Sequence, residues 1–299
     1  LVLAARTGCD SEMSISGRAK LAGVIGHPVA HSLSPRLHGH WLAAHAVDGA
    51  YIPLAVPREK FARVIEELRV CGFAGVNVTV PHKEAAFAIA HELDDAALAA
   101  GAVNLLLFQG NRIVGRNTDA GGLAASLLEA LGKGTLNGKI AVLLGTGGAA
   151  RAALLTLSEL GVGEIRIVGR HPARAENLVR EFSARTKATT LKAQGWSDWP
   201  TAARGAGILV NATSAGMAQH EALDLSLDPL PVNAVVTDLV YNPLETRLLK
   251  QAQARGNRVV DGLGMLMHQA VPAFEAFYGE RPQVTPALRA ELKKALRHG

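Results

Sequence analysis

Cysteine, aromatic residues and long apolar runs are all scarce in this sequence. Its 299 residues include only two cysteines and 4% aromatic residues. The two cysteines, Cys9 and Cys71, cannot build a disulfide framework and lack the spacing of metal ligands, so a reducing cytoplasm is the expected compartment. No run of about 18 apolar residues is present, and no membrane-spanning segment is therefore expected.

A strong excess of one charge is also lacking. The formal net charge is +5, and the basic residues are scattered among acidic ones, which argues against a nucleic-acid partner. A modest positive field suits a small anionic substrate or cofactor. The length is typical of about two globular domains. The first twelve residues are too short and too charged for a signal peptide, and Met13 is expected to begin the folded chain.

Strand and helix patterns alternate along the chain. Apolar runs at residues 20–26, 50–56 and 76–80 predict buried strands, and a helical pattern follows each of them. Gln109-Gly110-Asn111, between two further strand patterns, predicts a hairpin. A second series of strands and helices begins near residue 119. Because strands separated by helices form parallel βαβ units, the sequence predicts an α/β fold.

A glycine-rich turn follows the strand predicted at residues 139–144. Its residues are Gly145, Thr146, Gly147, Gly148, Ala149 and Ala150. They fit the pattern G-x-G-x-x-A between a strand and a helix, which is typical of dinucleotide binding. Gly145 permits the tight turn, Gly147 lets the backbone approach a pyrophosphate, and Ala150 lets helix and strand pack closely. The alternative is a tight turn without a ligand.

The end of the next predicted strand favours NADP over NAD. Enzymes that use NAD place an acidic residue there for the ribose hydroxyls, whereas this chain reads IVGRHPAR. Arg170 and Arg174 could together hold a 2′-phosphate through charge-assisted hydrogen bonds. The alternative is a solvated pair of arginines at a helix start, although cations there oppose the helix dipole.

A polar group is predicted where the strand at 76–80 ends. Asn77 and Thr79 are two residues apart and therefore share one face of the strand. Lys83 falls in the first turn of the following helix, where the helix dipole disfavours its positive charge. A lysine in this position is suited to transfer a proton. The alternative is an exposed Lys83 balanced by Glu84, with Thr79 only capping the helix.

Other polar residues have simple structural explanations when taken singly. Ser34, for example, fits the N-cap of a helix that begins at Pro35. The others are Ser32, Asn104, the helix start Asn117-Thr118-Asp119, Tyr241, and Gln269 in an apolar helix. Together they indicate a polyhydroxylated substrate. The histidines, including His38, His40 and His45, lack the spacing of metal ligands, so no metal is expected.

Seven motifs in order along the chain carry a family resemblance. They are S-L-S-P (32–35), N-V-T-V-P-H-K (77–83), A-G-A-V-N (100–104), N-T-D (117–119), G-T-G-G-A-A-R (145–151), N-A-T-S (211–214) and D-G-L-G-M-L-M-H-Q (261–269). The set resembles shikimate dehydrogenases. The resemblance extends from about Ala19 to the C-terminus.

The resemblance implies an NADPH-dependent reduction of 3-dehydroshikimate to shikimate, a step in the biosynthesis of aromatic amino acids. It also implies two α/β domains separated by a cleft. These are a substrate-binding domain at residues 14–118 and a Rossmann-type NADP-binding domain at residues 119–261. The C-terminal helices at residues 262–299 are expected to pack back on the first domain.

The resemblance also implies roles for individual residues. Lys83 corresponds to the family's catalytic lysine and Asp119 to its partner. The substrate-binding positions correspond to Ser32, Ser34, Asn77, Thr79, Asn104, Tyr241 and Gln269. The cofactor-binding positions correspond to Gly145, Thr146, Gly147, Gly148, Ala149, Ala150, Arg170, Arg174 and Gly262. The family's usual Asn-Arg-Thr in the cofactor loop is here Gly169-Arg170-His171.

Two alternatives stay open at this point. The first is a quinate/shikimate dehydrogenase on the same scaffold; such enzymes often favour NAD, which Arg170 and Arg174 argue against. The second is a catalytically silent NADP-sensing module, which the presence of both Lys83 and Asp119 argues against. The sequence does not distinguish a monomer from a homodimer.

Overall fold

A computed structural model describes residues 15–186, 188–217 and 220–298. The expected start at Met13 and the first residue of the predicted substrate-binding domain lie outside these residues. Among the residues that the structure covers, no helix is long and apolar enough to cross a bilayer.

The first part of the chain forms a six-stranded mixed sheet. Its elements are β1 (Lys20–Gly26), α1 (Ser34–Ala44), β2 (Gly49–Ala55), α2 (Phe61–Val70), β3 (Gly75–Val78), α3 (Lys83–Ile89), β4 (Glu92–Leu93), α4 (Asp95–Ala100), β5 (Leu105–Gln109) and β6 (Arg112–Arg116). The strand order is β2-β1-β3-β5-β6-β4. A short 3₁₀ turn at Arg58–Lys60 precedes α2.

The expectation of parallel units holds for β1, β2 and β3 but not for β5. β5 runs antiparallel to β3 and pairs with β6 as the predicted hairpin. Two helices and a short strand, rather than a single helix, connect β3 to β5, so the chain re-enters the sheet from the end at which it left. Gly110 turns the hairpin with φ +58°, a conformation that favours glycine.

Helix α5 (Asp119–Leu131) leads to a second six-stranded sheet. Its elements are β7 (Ile140–Leu144), α6 (Gly148–Glu159), β8 (Glu164–Gly169), α7 (Pro172–Phe182), β9 (Thr190–Gly195), α8 (Trp199–Ala203), β10 (Ile208–Asn211), β11 (Val235–Asp238), α9 (Arg247–Ala254) and β12 (Arg258–Val260). The order β12-β11-β10-β7-β8-β9 is parallel throughout. This arrangement, with β7 central, is the doubly wound topology of dinucleotide-binding sheets.

Two C-terminal helices, α10 (Leu263–Tyr278) and α11 (Pro286–His298), follow β12. Leu263, Met267 and Phe274 of α10 and Leu292 of α11 belong to the buried apolar cluster that also contains β1 and α1. The C-terminal helices therefore return to the first sheet. Helix α10 also crosses α5, so it contacts the segment that joins the two sheets.

Candidate active site

A cavity of about 170 Å³ lies where the loops after β1 and β3 face α10 and the start of α6. Its lining includes all nine residues that the sequence analysis assigned to catalysis or substrate binding. These are Ser32, Ser34, Asn77, Thr79, Lys83, Asn104, Asp119, Tyr241 and Gln269. Ala149 and Gly262, from the predicted cofactor set, line it as well. Both sheets thus contribute to one cavity.

Lys83 and Asp119 form an ion pair at the cavity wall. Lys83 is the first residue of α3 and Asp119 the first residue of α5, and Nζ donates a hydrogen bond to Oδ2 at 2.5 Å. The side chains are 20% and 7% exposed, so the ammonium is open to the cavity while the carboxylate is buried. The alternative in which Glu84 balances an exposed Lys83 is wrong, because the charge partner is Asp119.

Asn104 holds the other carboxylate oxygen of Asp119. Its Nδ2 donates to Asp119 Oδ1 at 2.8 Å and to Thr118 Oγ1 at 2.9 Å. Its Oδ1 accepts the backbone N–H of Thr118 at 2.8 Å. An amide that both donates and accepts in this way cannot rotate freely, so Asn104 fixes Asp119 in orientation. Thr118, which the sequence analysis did not assign to the site, is part of this network.

Gln269 of α10, the helix that packs on α5, enters the same network. Its Oε1 lies 3.3 Å from both Asn104 Nδ2 and Thr118 Oγ1, and its Nε2 donates to Leu266 O at 3.0 Å. Gly122 makes this approach possible: a Cβ atom there would lie 2.5 Å from Gln269 Cβ and 2.7 Å from its backbone nitrogen. Helices α5 and α10 can therefore pack this closely only with glycine at 122.

Ser32 and Ser34 line the cavity from the loop after β1 and the start of α1. Helix α1 begins at Ser34 itself, with Leu33 before it and no side chain capping it. The predicted N-cap role of Ser34 is therefore wrong; instead Ser32 Oγ accepts the backbone N–H of Ser34 at 3.3 Å. Tyr241 is close by: burial raises the pKa of its hydroxyl, and the Ser32 hydroxyl opposes part of that rise.

Asn77 and Thr79 come from the end of β3, as the strand pattern predicts, although β3 itself stops at Val78. Thr79 does not cap α3, which has no side-chain cap. Its methyl group packs closely on Gly26, where a Cβ would lie 2.5 Å from Thr79 Cγ2. Asn77 is buried, and its Nδ2 donates to Asn104 O at 3.3 Å.

The glycine-rich turn lies between β7 and α6, as predicted. Gly145 has φ +109°, which only glycine adopts readily. No atom would lie within 4 Å of a Cβ on Gly147, so this turn opens to free space at the N-terminus of α6. Ala150 is fully buried. A Cβ on Gly148 would lie 3.8 Å from Lys83 Cδ, which brings the turn next to the Lys83–Asp119 pair.

Arg170 and Arg174 flank the start of α7 beyond the end of β8, and both side chains are exposed. Neither forms an ion pair with a carboxylate among the described residues. Gly169, the last residue of β8, adjoins the glycine-rich turn: a Cβ there would lie 3.1 Å from Thr146 Cγ2. Two free guanidinium groups next to a glycine-rich turn fit the 2′-phosphate of NADP.

Residues that the sequence analysis did not assign also shape the cavity. Val29, Leu239, Met265 and Leu266 form apolar parts of its wall, and His31 lines it as well. No local pattern distinguishes these side chains from ordinary core residues. Gly262 permits the turn into α10, because a Cβ there would lie 2.5 Å from Leu239 O.

The doubly wound second sheet, its glycine-rich turn and the adjoining lysine–aspartate pair define a class: nicotinamide-dependent dehydrogenases with a separate substrate-binding sheet. Comparison with known proteins identifies the family. The family described as Shikimate dehydrogenase substrate binding domain matches residues 24–106, and the family described as Shikimate / quinate 5-dehydrogenase matches residues 126–223. The chain belongs to the shikimate dehydrogenase family.

Individual relatives support this assignment. The shikimate dehydrogenase (NADP(+)) of Paramagnetospirillum magneticum is 48% identical over 92% of this chain and 99% of its own length. Shikimate 5-dehydrogenase from Thermus thermophilus, solved with NADP(H) and shikimate, is 36% identical with a TM-score of 0.80, covering 93% and 99%. Quinate dehydrogenase from Corynebacterium glutamicum, solved with NAD, is 27% identical with a TM-score of 0.83, covering 94% and 99%.

Proposed function

We propose that this chain catalyses the reversible reduction of 3-dehydroshikimate to shikimate with NADPH. The observation that carries the proposal is the convergence of nine separately predicted polar residues on one cavity. The names of its relatives give the same activity. A silent NADP-sensing module would not need the Lys83–Asp119 pair to reach this cavity.

The residues beside the cavity fit the cofactor. Gly147 leaves open space for a pyrophosphate at the N-terminus of α6, and β8 ends without an acidic residue. Arg170 and Arg174 are exposed and would hold the 2′-phosphate. When bound, NADPH supplies the hydride that the carbonyl carbon receives.

Lys83 is placed to donate a proton to the carbonyl oxygen as it is reduced. Reduction of a ketone to an alcohol requires one proton on the oxygen, and the Lys83 ammonium opens on the cavity. Lys83 would hydrogen-bond the reacting oxygen and transfer that proton. Asp119 would orient the ammonium through Oδ2, while Asn104 keeps Asp119 in place through Oδ1.

The other polar residues would bind the parts of the substrate that do not react. Ser32 and Ser34 provide neutral hydroxyl donors for the carboxylate, so they add no second positive charge to a site that contains Lys83. The substrate hydroxyls would be held by Asn77, Thr79, Asn104, Tyr241 and Gln269. A cleft that closes over both ligands would exclude water from the reaction.

The proposal extends to the domain boundaries, the cellular compartment and the oligomeric state. The division into residues 14–118, 119–261 and 262–299 is supported by the two sheets and by the packing of α10 on the first core. A reducing cytoplasm is supported by the presence of only two cysteines, too few for a disulfide framework. The chain would work as a monomer or a homodimer, which light scattering after size exclusion would decide.

Steady-state assays with two acids and two cofactors test the proposal. Shikimate with NADP should reduce the cofactor, as followed by nicotinamide absorbance. We expect kcat/KM for shikimate to exceed that for quinate at least about tenfold, because quinate would bury an extra, unpaired hydroxyl. Comparable rates on the two acids would favour a quinate/shikimate dehydrogenase. No turnover of either acid with either cofactor would overturn the proposal.

A further inference from the structure

Tyr51 lies behind the cavity wall and contacts two of the predicted substrate-binding residues, Asn77 and Ser34. It is the third residue of β2 and is 7% exposed. Its hydroxyl donates a hydrogen bond to Asn77 Oδ1 at 2.7 Å. Tyr51 is not among the residues that line the cavity, so it can act on a substrate only through the cavity-lining residues that it contacts, Asn77 and Ser34.

The surroundings of Asn77 determine which way its amide faces. The carbonyl oxygen of Asn104 lies 3.3 Å from Asn77 Nδ2 and also accepts the backbone N–H of Val78 at 2.8 Å. If the amide were flipped, Oδ1 would face this carbonyl, and two acceptors would be opposed without a proton between them. The NH₂ group therefore faces Asn104, and Oδ1 faces Tyr51.

The hydroxyl of Tyr51 is a lasting donor. Burial raises its pKa well above the ordinary value, so the phenol keeps its proton at neutral pH. The ring is held by a parallel stack on His38, with centroids 3.8 Å apart and planes 5° apart. Burial lowers the pKa of His38 to about 3, so this stack carries no charge.

We propose that Tyr51 is a positioning residue, which locks the Asn77 amide so that one N–H stays free as a donor to a substrate hydroxyl in the cavity. This inference rests on the proposed function, because it assigns to Asn77 a hydroxyl of the bound acid. Without the Tyr51 hydroxyl, the amide oxygen loses its partner, and only the 3.3 Å contact between Nδ2 and Asn104 O still opposes rotation of the amide. The site then recognises the hydroxyl less well, although no cavity-lining residue has changed.

Tyr51→Phe tests the inference by removing only the hydroxyl. We expect KM for shikimate to rise about fivefold, as for the loss of one neutral hydrogen bond, with KM for NADP unchanged and a smaller change in kcat. A merely structural role would lower thermal stability without this selective change in KM. An unchanged KM for shikimate would overturn the inference.

Tyr278→Phe is the matched control. Tyr278 is a buried tyrosine in the same aromatic cluster, and its hydroxyl donates to Ala50 O at 2.9 Å, next to Tyr51 in sequence. This variant also loses one buried phenolic hydrogen bond. It should lower Tm by a similar amount and leave both KM values unchanged. An equal rise in KM for shikimate in Tyr278→Phe would also overturn the positioning role.

A double-mutant cycle shows whether Tyr51 acts through Asn77. Adding Tyr51→Phe to Asn77→Ala should cause no further rise in KM for shikimate, because the amide is already gone. Additive effects would contradict the inference.

The side-chain amide signals of Asn77 in nitrogen-15 spectra give a readout without turnover; their absence in Asn77→Ala identifies them. They should shift and exchange faster with solvent in Tyr51→Phe but not in Tyr278→Phe. If wild type fails to oxidise shikimate while these signals respond, the proposed function fails and the orientation of the amide by Tyr51 stands. Unchanged signals in Tyr51→Phe would refute that orientation.

Discussion

The substrate side and the cofactor side of the cavity are built differently. On the substrate side the polar groups already hold one another: Lys83 pairs with Asp119, and Asn104 bonds both Asp119 and Thr118. On the cofactor side, Gly147 faces open space and Arg170 and Arg174 extend into solvent. The polar groups of the substrate side are thus held in place before a ligand binds, whereas the cofactor side offers open space and exposed positive charge.

This difference follows from what each side must recognise. A small polyhydroxylated ring offers only directional hydrogen bonds, so its donors must be held in place beforehand. A dinucleotide offers several negative charges, which attract guanidinium groups over a distance and can order them on binding. Substitutions on the substrate side should therefore alter chemistry or stability, and those on the cofactor side should alter cofactor affinity alone.

Lys83→Ala should give the largest effect. We expect kcat to fall by about 10²–10⁴, the usual loss for a general acid–base group, with the fold retained. Glu84→Ala, a change in an exposed neighbour within the same helical turn, should leave kcat near wild type. Near wild-type turnover in Lys83→Ala would remove the proton-transfer role.

Asp119→Asn tests the same pair from its other member. It should also lower kcat, because the amide no longer orients the ammonium of Lys83 by charge. Circular dichroism melts would reveal whether the fold persists. If Asp119→Asn lowered Tm but left kcat unchanged, Asp119 would only stabilise the start of α5 and would have no role in catalysis.

Replacing both Arg170 and Arg174 with Ala should change cofactor choice without changing stability. We expect KM for NADP to rise on the order of a hundredfold, since each charge-assisted contact contributes roughly a tenfold factor or more. KM for NAD and Tm should stay nearly constant, because both side chains are exposed. Arg180→Ala, elsewhere on α7, is the control for a general loss of positive charge. Equal losses with NADP and NAD would contradict the assigned role.

Gly122→Ala tests the close contact that brings Gln269 to the substrate side. The new methyl group would meet Gln269 Cβ and backbone and push α5 and α10 apart. We expect a loss of about 1–3 kcal/mol in the free energy of unfolding, as for other overpacked contacts, with a several-fold rise in KM for shikimate.

Gly121→Ala is the matched control, since a Cβ at that position meets no atom within 4 Å. It should raise stability by about 0.5–1 kcal/mol, the usual gain from alanine within a helix, and should leave KM unchanged. Equal effects from the two substitutions would show that the helix crossing does not position Gln269.

Asp238, a buried carboxyl at the end of β11 in the second sheet, should have the smallest effect on catalysis, because it is not among the residues that line the cavity. Burial raises its pKa from 3.8 to about 6, although Thr246, the Val240 N–H and Asn211 donate hydrogen bonds that oppose the rise. Because the folded state binds this proton more tightly than the unfolded state, the contribution of Asp238 to stability falls as pH rises from about 4 to about 6. The expected fall is about 3 kcal/mol, because the pKa is raised by about two units.

Denaturant unfolding of wild type and Asp238→Asn across this pH range measures that contribution. The difference in free energy of unfolding between the two proteins should vary with pH below about 6 and be constant above it. A difference that stays constant throughout would mean that Asp238 titrates alike in the folded and unfolded chains.

Much of the fold was predictable because its signals are local. The second series of elements begins near residue 119, as predicted, with α5, and the glycine-rich turn lies between a strand and a helix as its pattern requires. Strands β9 and β12 were not predicted. Both lie at the edges of the second sheet. β9 alternates apolar and polar residues, and β12 has only three residues, so neither shows the continuous apolar run by which a buried parallel strand is recognised.

The site was only partly predictable. Its residue types and several of its positions follow from sequence: a lysine in a first helical turn, two polar residues on one strand face, and two arginines after β8. The neighbours that hold them are harder to find: Tyr51 and Gly122 have no local pattern that distinguishes them from ordinary strand and helix residues, and Thr118 lies in the N-T-D motif without an assigned role. The wrong prediction that Ser34 is an N-cap has a related origin. Helix α1 begins one residue earlier than the sequence pattern indicates, and the local pattern does not fix a helix start to within one residue.

The sequence by itself determined the alternation of strands and helices, the glycine turn and the chemical character of both ligand sites, because periodicity and turn chemistry act over a few residues. Only the tertiary structure decided which groups meet. Lys83 reaches Asp119 across 36 residues, and Asn104 approaches Gln269 across 165. Such contacts depend on how helices and sheets pack, here on the close contact between α5 and α10 at Gly122. Packing is a property of the whole fold rather than of any one segment.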